Sequence, residues 1–419
     1  MSELIRIVDS PSEIAAAAQR LRERVGLREL TARRVIEVLE RWGTALQGPA
    51  LDTIPGVPFL RLWLRRGTLE PIVARELGSS ALDGNWWSER GGHLRTFPLG
   101  VVGHWPAGNI EIQPVLSLSC GLLGGNAGLV RVPSGLLAQT KALLDKLQEI
   151  DVEGVLTERV FMAAFDHERL DLQRAMAASV DGAMIWGGEE AVTQIRALPF
   201  PHWARLAVFG PRLSAAAMDG ECWGDEDERQ AWCRRIARDV WQFDQQACSS
   251  PQTLFLERRD GCDPGAFVAA LAAALEAENR AHPRRDIHPA LTSAICLARA
   301  SWLLDAAAHR ALFPLTPDWT LLIGAGADIP QPTQGRTLSV LLVEDLSEPI
   351  ARFGGAVQTL GLGVKNAARE AALARAAGHN GVDRIVKLGG MHVFGSPWDG
   401  SDMIRPMVRL VRHMPSNSG

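Results

Sequence analysis

The sequence lacks several patterns that would assign it to a common functional class. Its six cysteines include no Cys-x-x-Cys pair and no histidine at zinc-ligand spacing, so neither a metal site nor a disulfide framework is expected. It has no long basic run and a net charge of −4, which argues against a nucleic acid or an anionic membrane as partner. No apolar run is as long as a membrane span, and no secretory signal is recognisable. These absences favour a cytoplasmic protein.

The composition is that of an ordinary globular chain. Hydrophobic residues make up 47% and charged residues 22% of the 419 residues. A chain of this length usually divides into two or more packed subdomains. The sequence therefore predicts a globular protein with more than one core.

From Phe97 onward, short apolar segments alternate with helical segments. The strands are predicted at residues 99–103, 129–132, 159–164, 183–186 and 205–209. The helices between them are predicted at residues 136–147, 170–178 and 189–195. Residues 12–42 and 61–77 are predicted to be helical before this region, and 224–240 and 264–278 after it. This alternation indicates a parallel sheet with crossover helices, as in Rossmann-like nucleotide-binding domains.

No predicted strand is followed by Gly-x-Gly-x-x-Gly, the usual dinucleotide fingerprint. A nicotinamide cofactor would therefore be held by another arrangement of residues.

Cys248 lies in the segment with the most chemical information. It is followed by Ser-Ser-Pro, which predicts a turn rather than a core strand or helix. A thiol in a turn can face a cleft, where nearby backbone N–H groups favour the thiolate and can bind an oxyanion. The alternative is an ordinary loop cysteine, and the local residues alone leave both interpretations open.

The residues around Cys248 resemble a known motif. Residues 243–248 read Phe-Asp-Gln-Gln-Ala-Cys and are similar to the Phe-Asn-Gln-x-x-Cys nucleophile motif of aldehyde dehydrogenases. Residues 97–109, 124–134 and 185–190 resemble, in the same order, three further blocks of that family. More narrowly, residues 104–109, 113–118, 248–251 and 358–361 resemble the acyl-CoA reductases that include the fatty acid reductase of bacterial luminescence.

The resemblance implies an α/β fold of the aldehyde dehydrogenase type. It implies a Rossmann-like nicotinamide cofactor domain at residues 1–212 and a catalytic domain with a nucleophilic cysteine at 213–395. Residues 396–419 would form a C-terminal segment that packs back on the cofactor domain or in a dimer interface. Family members are usually oligomers, so a homodimer is expected.

The resemblance also implies a reaction. Cys248 would attack an acyl thioester, carried by CoA or by an acyl carrier protein, and a reduced nicotinamide would convert the acyl-enzyme to an aldehyde. Asn109 and the Cys248 backbone N–H would bind the oxyanion. The alternative for Asn109 is a turn residue that follows Gly108.

One family feature is missing. The strand at 205–209, equivalent to the one that carries a water-activating glutamate in hydrolytic relatives, has no carboxylate. Its absence favours reduction over hydrolysis of the acyl-enzyme. Glu189, Glu190 and Glu221 remain alternative bases.

Cofactor contacts are implied at two places. Arg131 stands where the family has a ribose-binding lysine, and Ser134 where it often has a glutamate that repels a 2′-phosphate. Arg131 and Ser134, with Pro133 between them, favour NADPH as the cofactor, and NADH is the alternative. Trp186, Gly187 and Gly188 would let backbone approach the pyrophosphate.

Three other interpretations remain open at this stage. The same cysteine could serve aldehyde or semialdehyde oxidation, or reduction of an acyl phosphate. Alternatively, the chain could be a noncatalytic nucleotide-binding partner of an acyltransferase.

Overall fold

The computed structural model describes residues 4–27, 29–89, 91–284, 287–306 and 309–415. It contains two compact units, described separately here. Unit 1 comprises Met1–Pro211 and Phe394–Gly419, and unit 2 comprises Arg212–Val393. Residues 416–419 of the predicted C-terminal segment lie outside the described residues. The assignment of a cofactor role and a catalytic role to two domains stays a prediction.

The elements of Met1–Pro211 are, in chain order, β1 (Ile5–Ile7), α1 (Pro11–Leu27), α2 (Ala32–Ala45), α3 (Pro49–Asp52), α4 (Val57–Trp63), α5 (Arg66–Leu77), β2 (Trp87–Glu89), β3 (Gly92–Pro98), β4 (Val101–Trp105), α6 (Gln113–Leu123), β5 (Ala127–Val132), α7 (Leu137–Ile150), β6 (Val160–Ala164), α8 (Leu170–Ala178), β7 (Gly182–Trp186), α9 (Glu189–Arg196) and β8 (Arg205–Phe209).

Those of unit 2 are β9 (Leu213–Met218), α10 (Glu226–Trp241), β10 (Pro251–Glu257), α11 (Pro264–Ala281), α12 (Pro289–Asp305), β11 (Arg310–Leu312), β12 (Thr320–Ala325), β13 (Thr337–Val343), α13 (Ser347–Arg352), β14 (Val357–Gly363), α14 (Ala367–His379) and β15 (Arg384–Lys387). The chain then returns to unit 1 and forms β16 (Val408–His413). Within the described ranges, every helix is too short or too polar to span a bilayer.

Unit 1 is built on a six-stranded parallel sheet in the order β1-β6-β5-β4-β7-β8. Strands β4 and β7 are buried along their whole length, as expected where helices cover both faces of a parallel sheet. The apolar stripe of α1, with Ile14 and Leu21, packs in the same cluster as Val101 and Leu129. The parallel sheet and crossover helices predicted from the sequence are confirmed.

Two predicted boundaries are wrong for identifiable reasons. The strand predicted at 99–103 begins only at Val101, because the N–H groups of Leu99 and Gly100 donate to the Asn126 side chain instead of a neighbouring strand. The helical region predicted at 12–42 is two helices, because Thr31 accepts a hydrogen bond from the Arg34 N–H and thereby starts a new helix.

A second, three-stranded antiparallel sheet in unit 1 has the order β16-β3-β2. Val408 of the last strand pairs with Pro98, so the C-terminal residues join a sheet formed more than 300 positions earlier. The apolar pattern of the sequence did not predict β16, which pairs with residues far away along the chain.

Unit 2 is built on a seven-stranded sheet in the order β11-β12-β13-β10-β9-β14-β15, in which only β11 is antiparallel among the described strands. Helices α10 and α11 pack on one face through Ile236 and Leu271. Helices α13 and α14 supply Ile350 and Leu373 to the other face. The register shifts at Gln252 of β10 and Gln358 of β14, which are irregularities on either side of β9.

Candidate active site

Cys248 lies in the turn that the sequence predicts, between α10 and β10 of unit 2. The Ser250 N–H donates to the Ala247 carbonyl at 2.9 Å and closes this turn. The Ser214 hydroxyl, at the start of β9, donates to the Cys248 carbonyl at 2.6 Å. Cys248 is half-buried. The thiol therefore sits at the amino end of the seven-stranded sheet, on backbone that is tied to a neighbouring strand.

The backbone that leads into this turn is strained. Phe243, Asp244 and Gln245 have φ values of 52°, 49° and 60°, a left-handed conformation that residues with a Cβ adopt at a cost of about 1–3 kcal/mol each. Such strain persists only where surrounding contacts hold it, and it is concentrated at functional sites. Three consecutive residues in this conformation shortly before Cys248 make the segment a candidate functional site of unit 2.

Gln245 is the main anchor of the strained segment. Its buried amide nitrogen donates to the carbonyls of Pro251 at 2.7 Å and Thr337 at 2.9 Å, while its oxygen accepts from the Thr337 N–H at 2.6 Å. Arg336 adds a hydrogen bond to the Asp244 carboxylate at 2.7 Å. Gln245 belongs to the motif quoted above, so its role in the fold explains why a glutamine suits that position.

The segment after β15 reaches the residue that follows the thiol. His392 Nε2 lies 2.8 Å from the Asp239 carbonyl oxygen, and its Nδ1 lies 3.0 Å from the Ser249 hydroxyl. A carbonyl can only accept, so the ring proton is on Nε2 and Ser249 donates to Nδ1. Burial lowers the pKa of His392 to about 4, so the ring is neutral at physiological pH.

Arg384 and Asp239 hold the same segment. The Arg384 guanidinium donates to the carbonyls of Met391 at 2.7 Å and Val393 at 2.6 Å. The Asp239 carboxyl accepts from the Gly389 N–H at 2.6 Å and the Met391 N–H at 3.3 Å. Burial raises the pKa of Asp239 to about 7. The sequence did not predict a functional role for Asp239, Arg384 or His392.

Three other cysteines have surroundings that suppress reactivity. Burial raises the pKa of the Cys222 and Cys233 thiols to about 12, and it also raises the pKa of Cys120. A thiol with a pKa that high stays protonated and unreactive at neutral pH. Cys262 is half-buried and its N–H closes a turn with the Arg259 carbonyl, but that turn follows the carboxyl end of β10 and has a glycine, Gly261, at its positive φ. Cys296 is exposed on α12.

Unsatisfied polar atoms collect near the amino end of this sheet. Among the described residues, the buried side-chain oxygens without a hydrogen-bond partner include those of Ser250, Gln252, Thr253, Thr337, Gln358 and Thr359. Gln358 is fully buried and lacks partners at both its oxygen and its nitrogen. Buried polar groups are normally paired, so these atoms beside the Cys248 turn are candidates to bind water or a polar ligand.

In unit 1, the candidate site residues lie at the carboxyl ends of three neighbouring strands of the six-stranded sheet. Asn109, Pro133 and Gly187 follow β4, β5 and β7, which are adjacent parallel strands. The chain runs outward from β4 through β5 and β6 and then crosses to β7 on the other side of β4. Ligands of such sheets bind at this reversal of strand order, outside the carboxyl ends of the strands.

Arg131 is near the end of β5, and it is not a free surface cation. Its guanidinium lies over the Phe165 ring at 5.9 Å, and its buried Nε has no hydrogen-bond partner among the described residues. Burial lowers its pKa, while the nearby Asp166 carboxylate acts in the opposite direction. Pro133 is buried beside it and Ser134 is exposed.

The turn after β7 leaves open space next to the backbone. An added Cβ at Gly188 would meet no atom within 4 Å, and Gly188 precedes α9 without a side-chain cap. A Cβ at Gly187 would lie 3.2 Å from the Ala191 side chain. Trp186 is buried and stacks on Phe209 at 3.9 Å. The glycines can therefore face a ligand, whereas Trp186 packs within the unit.

Two polar residues of the same region have structural contacts. Asn126 satisfies its whole amide with backbone groups of Leu99, Gly100, Gly121 and Met407. His104 is fully buried, bonds to Ser117 at 2.8 Å, and has a pKa lowered by burial to about 3. Asn109 lies in the exposed turn after β4.

The structure brings the predicted residues together in two groups. Asn109, Arg131, Pro133, Ser134, Trp186, Gly187 and Gly188 belong to unit 1, and Cys248 to unit 2. The alternative bases Glu189, Glu190 and Glu221 are all exposed. Gln358 was predicted only as part of a motif and not as a functional residue. Its fully buried side-chain amide, without a partner among the described residues, makes it a further candidate.

Comparison with known proteins identifies the fold and the family. The chain superimposes on a crystal structure of an aldehyde dehydrogenase from Brucella melitensis biovar abortus 2308 with a TM-score of 0.68 and 13% identity, covering 96% of this chain and 89% of the other. The predicted α/β fold of the aldehyde dehydrogenase type is confirmed.

Among curated sequences, the long-chain acyl-protein thioester reductase 2 of Photobacterium leiognathi is 24% identical over 353 residues, which are 83% of this chain and 70% of that protein. The long-chain acyl-protein thioester reductase of Vibrio harveyi is 25% identical over 191 residues, 45% of this chain and 39% of that protein. The model of the acyl-CoA reductase (LuxC) family matches residues 14–413. With nearly its whole length matched, the chain belongs to the acyl-CoA reductase (LuxC) family of enzymes.

Proposed function

We propose that the protein reduces an acyl thioester to an aldehyde with NADPH, through an acyl-enzyme on Cys248. The observation that carries the proposal is the Cys248 turn, in which a half-buried thiol follows three strained residues and adjoins unpaired buried polar groups. The family match to acyl-CoA reductases supports the reaction class.

The acyl group is presented as a thioester of CoA or of a carrier protein. The curated relatives carry names that specify long-chain acyl-protein thioesters, and the family model is named for acyl-CoA. Both donors present the same thioester carbonyl to a thiolate. The chain length of the acyl group is therefore a separate question from the chemistry.

The first step exchanges one thioester for another. The Cys248 thiolate adds to the carbonyl carbon, the carbon–sulfur bond to the carrier breaks, and the carrier leaves as a thiol after gaining a proton. Asn109 and the Cys248 backbone N–H donate to the oxyanion. A bound NADPH supplies the hydride that reduces the acyl carbon. Collapse of the resulting hemithioacetal releases the aldehyde and returns the thiol.

The residues at the edge of the six-stranded sheet suit a dinucleotide. The unpartnered Nε of Arg131 offers a donor to a phosphate, and the open space at Gly188 admits a pyrophosphate next to backbone. The Asp166 carboxylate interacts with Arg131 and is a nearby charge unfavourable to a 2′-phosphate. NADPH is therefore to be compared directly with NADH.

The missing carboxylate on β8 favours reduction over release of a free acid. Residues 205–209 contain no aspartate or glutamate that could activate water. We further propose that the protein acts in the cytoplasm as a homodimer, with β16 as a candidate for the dimer contact because it is an edge strand of a small sheet.

The experiment supplies acyl-CoA and acyl-carrier-protein thioesters of graded chain length and measures NADPH or NADH consumption together with trapped aldehyde. We expect Cys248→Ala to lower the rate by roughly a thousandfold or more. Cys262→Ala, which removes another half-buried thiol of unit 2, should leave the rate unchanged. Unchanged turnover in Cys248→Ala would refute the covalent mechanism. Release of a free acid without consumption of NADPH or NADH would show that the acyl-enzyme is hydrolysed rather than reduced.

A further inference from the structure

Arg384 has no role in the reaction described above, although its position relates it to the nucleophile. It is the first residue of β15 and pairs in register with Thr359 of β14. Thr359 pairs with Ser214 of β9, whose hydroxyl holds the Cys248 carbonyl. Arg384 and the Cys248 turn therefore lie at the same end of the sheet. Two strand spacings, or about 10 Å, separate Arg384 from Ser214 along this row.

The Arg384 side chain closes part of that distance. Its guanidinium donates to the Met391 and Val393 carbonyls, which flank His392. His392 in turn accepts a hydrogen bond from Ser249, the residue next to Cys248. The guanidinium bonds to the two residues that adjoin His392, and the thiol belongs to the residue that adjoins Ser249. Both groups are therefore linked to the Ser249–His392 hydrogen bond through neighbouring residues. Both are consequently near this contact, and they interact electrostatically.

Hydrogen bonds to backbone carbonyls fix the position of the Arg384 guanidinium. Carbonyl oxygens carry only partial charge, so hydrogen bonds to Met391 and Val393 orient the guanidinium and leave its net positive charge in place. Arginine suits this role because it remains protonated when half-buried. Its pKa is lowered by burial, and this is opposed by interactions with Cys248 and Asp239.

We propose that Arg384 is the fixed positive charge that keeps Cys248 in the reactive thiolate form. An interaction between two ionisable groups is mutual, so a thiolate that favours the charged arginine is itself favoured by it. This inference rests on the proposed function in one respect only, namely that Cys248 is the nucleophile. Arg384 acts on the thiol through its charge and is a positioning residue rather than a catalytic one.

Other charged groups face this region and set the conditions of a test. Asp239 of α10 interacts with Arg384, has a pKa of about 7, and is itself influenced by Arg238. His392 has its pKa lowered to about 4 and stays neutral above pH 5. An ionisation measured near pH 7 could therefore come from Asp239 as well as from Cys248. The two must be distinguished by the direction of the change in a variant.

The test measures alkylation of Cys248 by iodoacetamide as a function of pH, with the Cys248 peptide quantified by mass spectrometry. The rate reports the thiolate fraction and requires neither NADPH nor thioester. In Arg384→Gln we expect the pH midpoint to move upward and the rate at pH 7 to fall by about tenfold. Arg384→Lys, which keeps the charge with fewer hydrogen bonds, should remain close to the wild type.

Two controls separate charge from local structure. Arg352→Gln removes an exposed cation of unit 2 that pairs with Asp328 and Glu348, and should not change the midpoint. Asp239→Asn removes a negative charge and should not raise the pH midpoint of Cys248 alkylation. Arg384→Gln removes a positive charge and should raise it.

An unchanged midpoint in Arg384→Gln would overturn the inference. So would a shift in Arg384→Lys as large as that in Arg384→Gln, since it would show that the geometry of residues 389–393 matters and the charge does not. Failure of the proposed function is seen separately, as an absence of Cys248-dependent thioester reduction in the wild type.

Discussion

The two ends of the seven-stranded sheet differ in how completely their polar groups are paired. At the carboxyl end, the buried carboxylates of Asp219 and Glu257 both bond to Arg369, and Glu257 also accepts from the N–H groups of Gly220 and Leu346. At the amino end, beside Cys248, buried hydroxyls and the whole Gln358 amide lack partners. One end therefore stabilises the fold, whereas the other holds polar groups available for a ligand.

The largest expected effect comes from removing the cation that pairs with the buried carboxylates at the carboxyl end of the sheet. Arg369→Met leaves Asp219 and Glu257 buried without their cation, and we expect the free energy of unfolding to fall by about 3 kcal/mol. Chemical denaturation measures this value. Alkylation of Cys248 in the folded variant should be unchanged, because the two ends are independent.

The matched control for that variant is Arg352→Met, which removes an exposed ion pair and should cost less than about 1 kcal/mol. Equal losses in the two arginine variants would contradict the view that the carboxyl end is a stabilising network.

The next effect concerns the unpaired end. Gln358→Leu removes an amide that has no hydrogen-bond partner among the described residues, so stability should stay the same or rise by up to about 1 kcal/mol. If this amide contacts the thioester or the cofactor, kcat/KM should fall by about tenfold or more. Unchanged kcat/KM together with a rise in stability would show that the unpaired groups at this end do not serve binding.

The smallest effect is a dependence of stability on pH. Burial raises the pKa of Asp239 to about 7, well above its unfolded value of about 3.9. The folded protein therefore holds a proton that the unfolded chain has lost, and stability from this group falls as pH rises from about 4 to about 7.

We expect Asp239→Asn to be more stable than the wild type at pH 8 by about 1 kcal/mol, with the advantage disappearing toward pH 4. Urea unfolding at several pH values measures the difference. An advantage that grew at low pH would reverse the sign argued here.

The sequence predicted the parts of the structure that depend on local pattern. The strand Arg205–Phe209 and the helix Leu170–Ala178 have the bounds expected from their apolar periodicity. The turn at Cys248 follows from its Ser-Ser-Pro sequence. The position of the candidate cofactor residues at the ends of neighbouring strands follows from the order of the motifs.

Residues brought together from distant positions could not be predicted in this way. His392 reaches Ser249 across 143 positions, and Asp239 reaches Gly389 across 150. No spacing rule links such residues, because the contacts depend on the strand order β10-β9-β14-β15, which one sequence does not specify. The strain at Phe243–Gln245 was equally hidden, since none of these residues is a glycine.

The discontinuity of unit 1 has a consequence for biosynthesis. The Glu76 carboxylate is almost fully buried and accepts from the N–H groups of Met403, Ile404 and Arg405. On the ribosome, these donors emerge after all of unit 2 has been made. Unit 2 can therefore fold first, whereas the N-terminal part of unit 1 completes its fold only after residues 403–405 have been made. A nascent chain stalled before Met403 would retain this carboxylate without its donors and would be a natural substrate for chaperones.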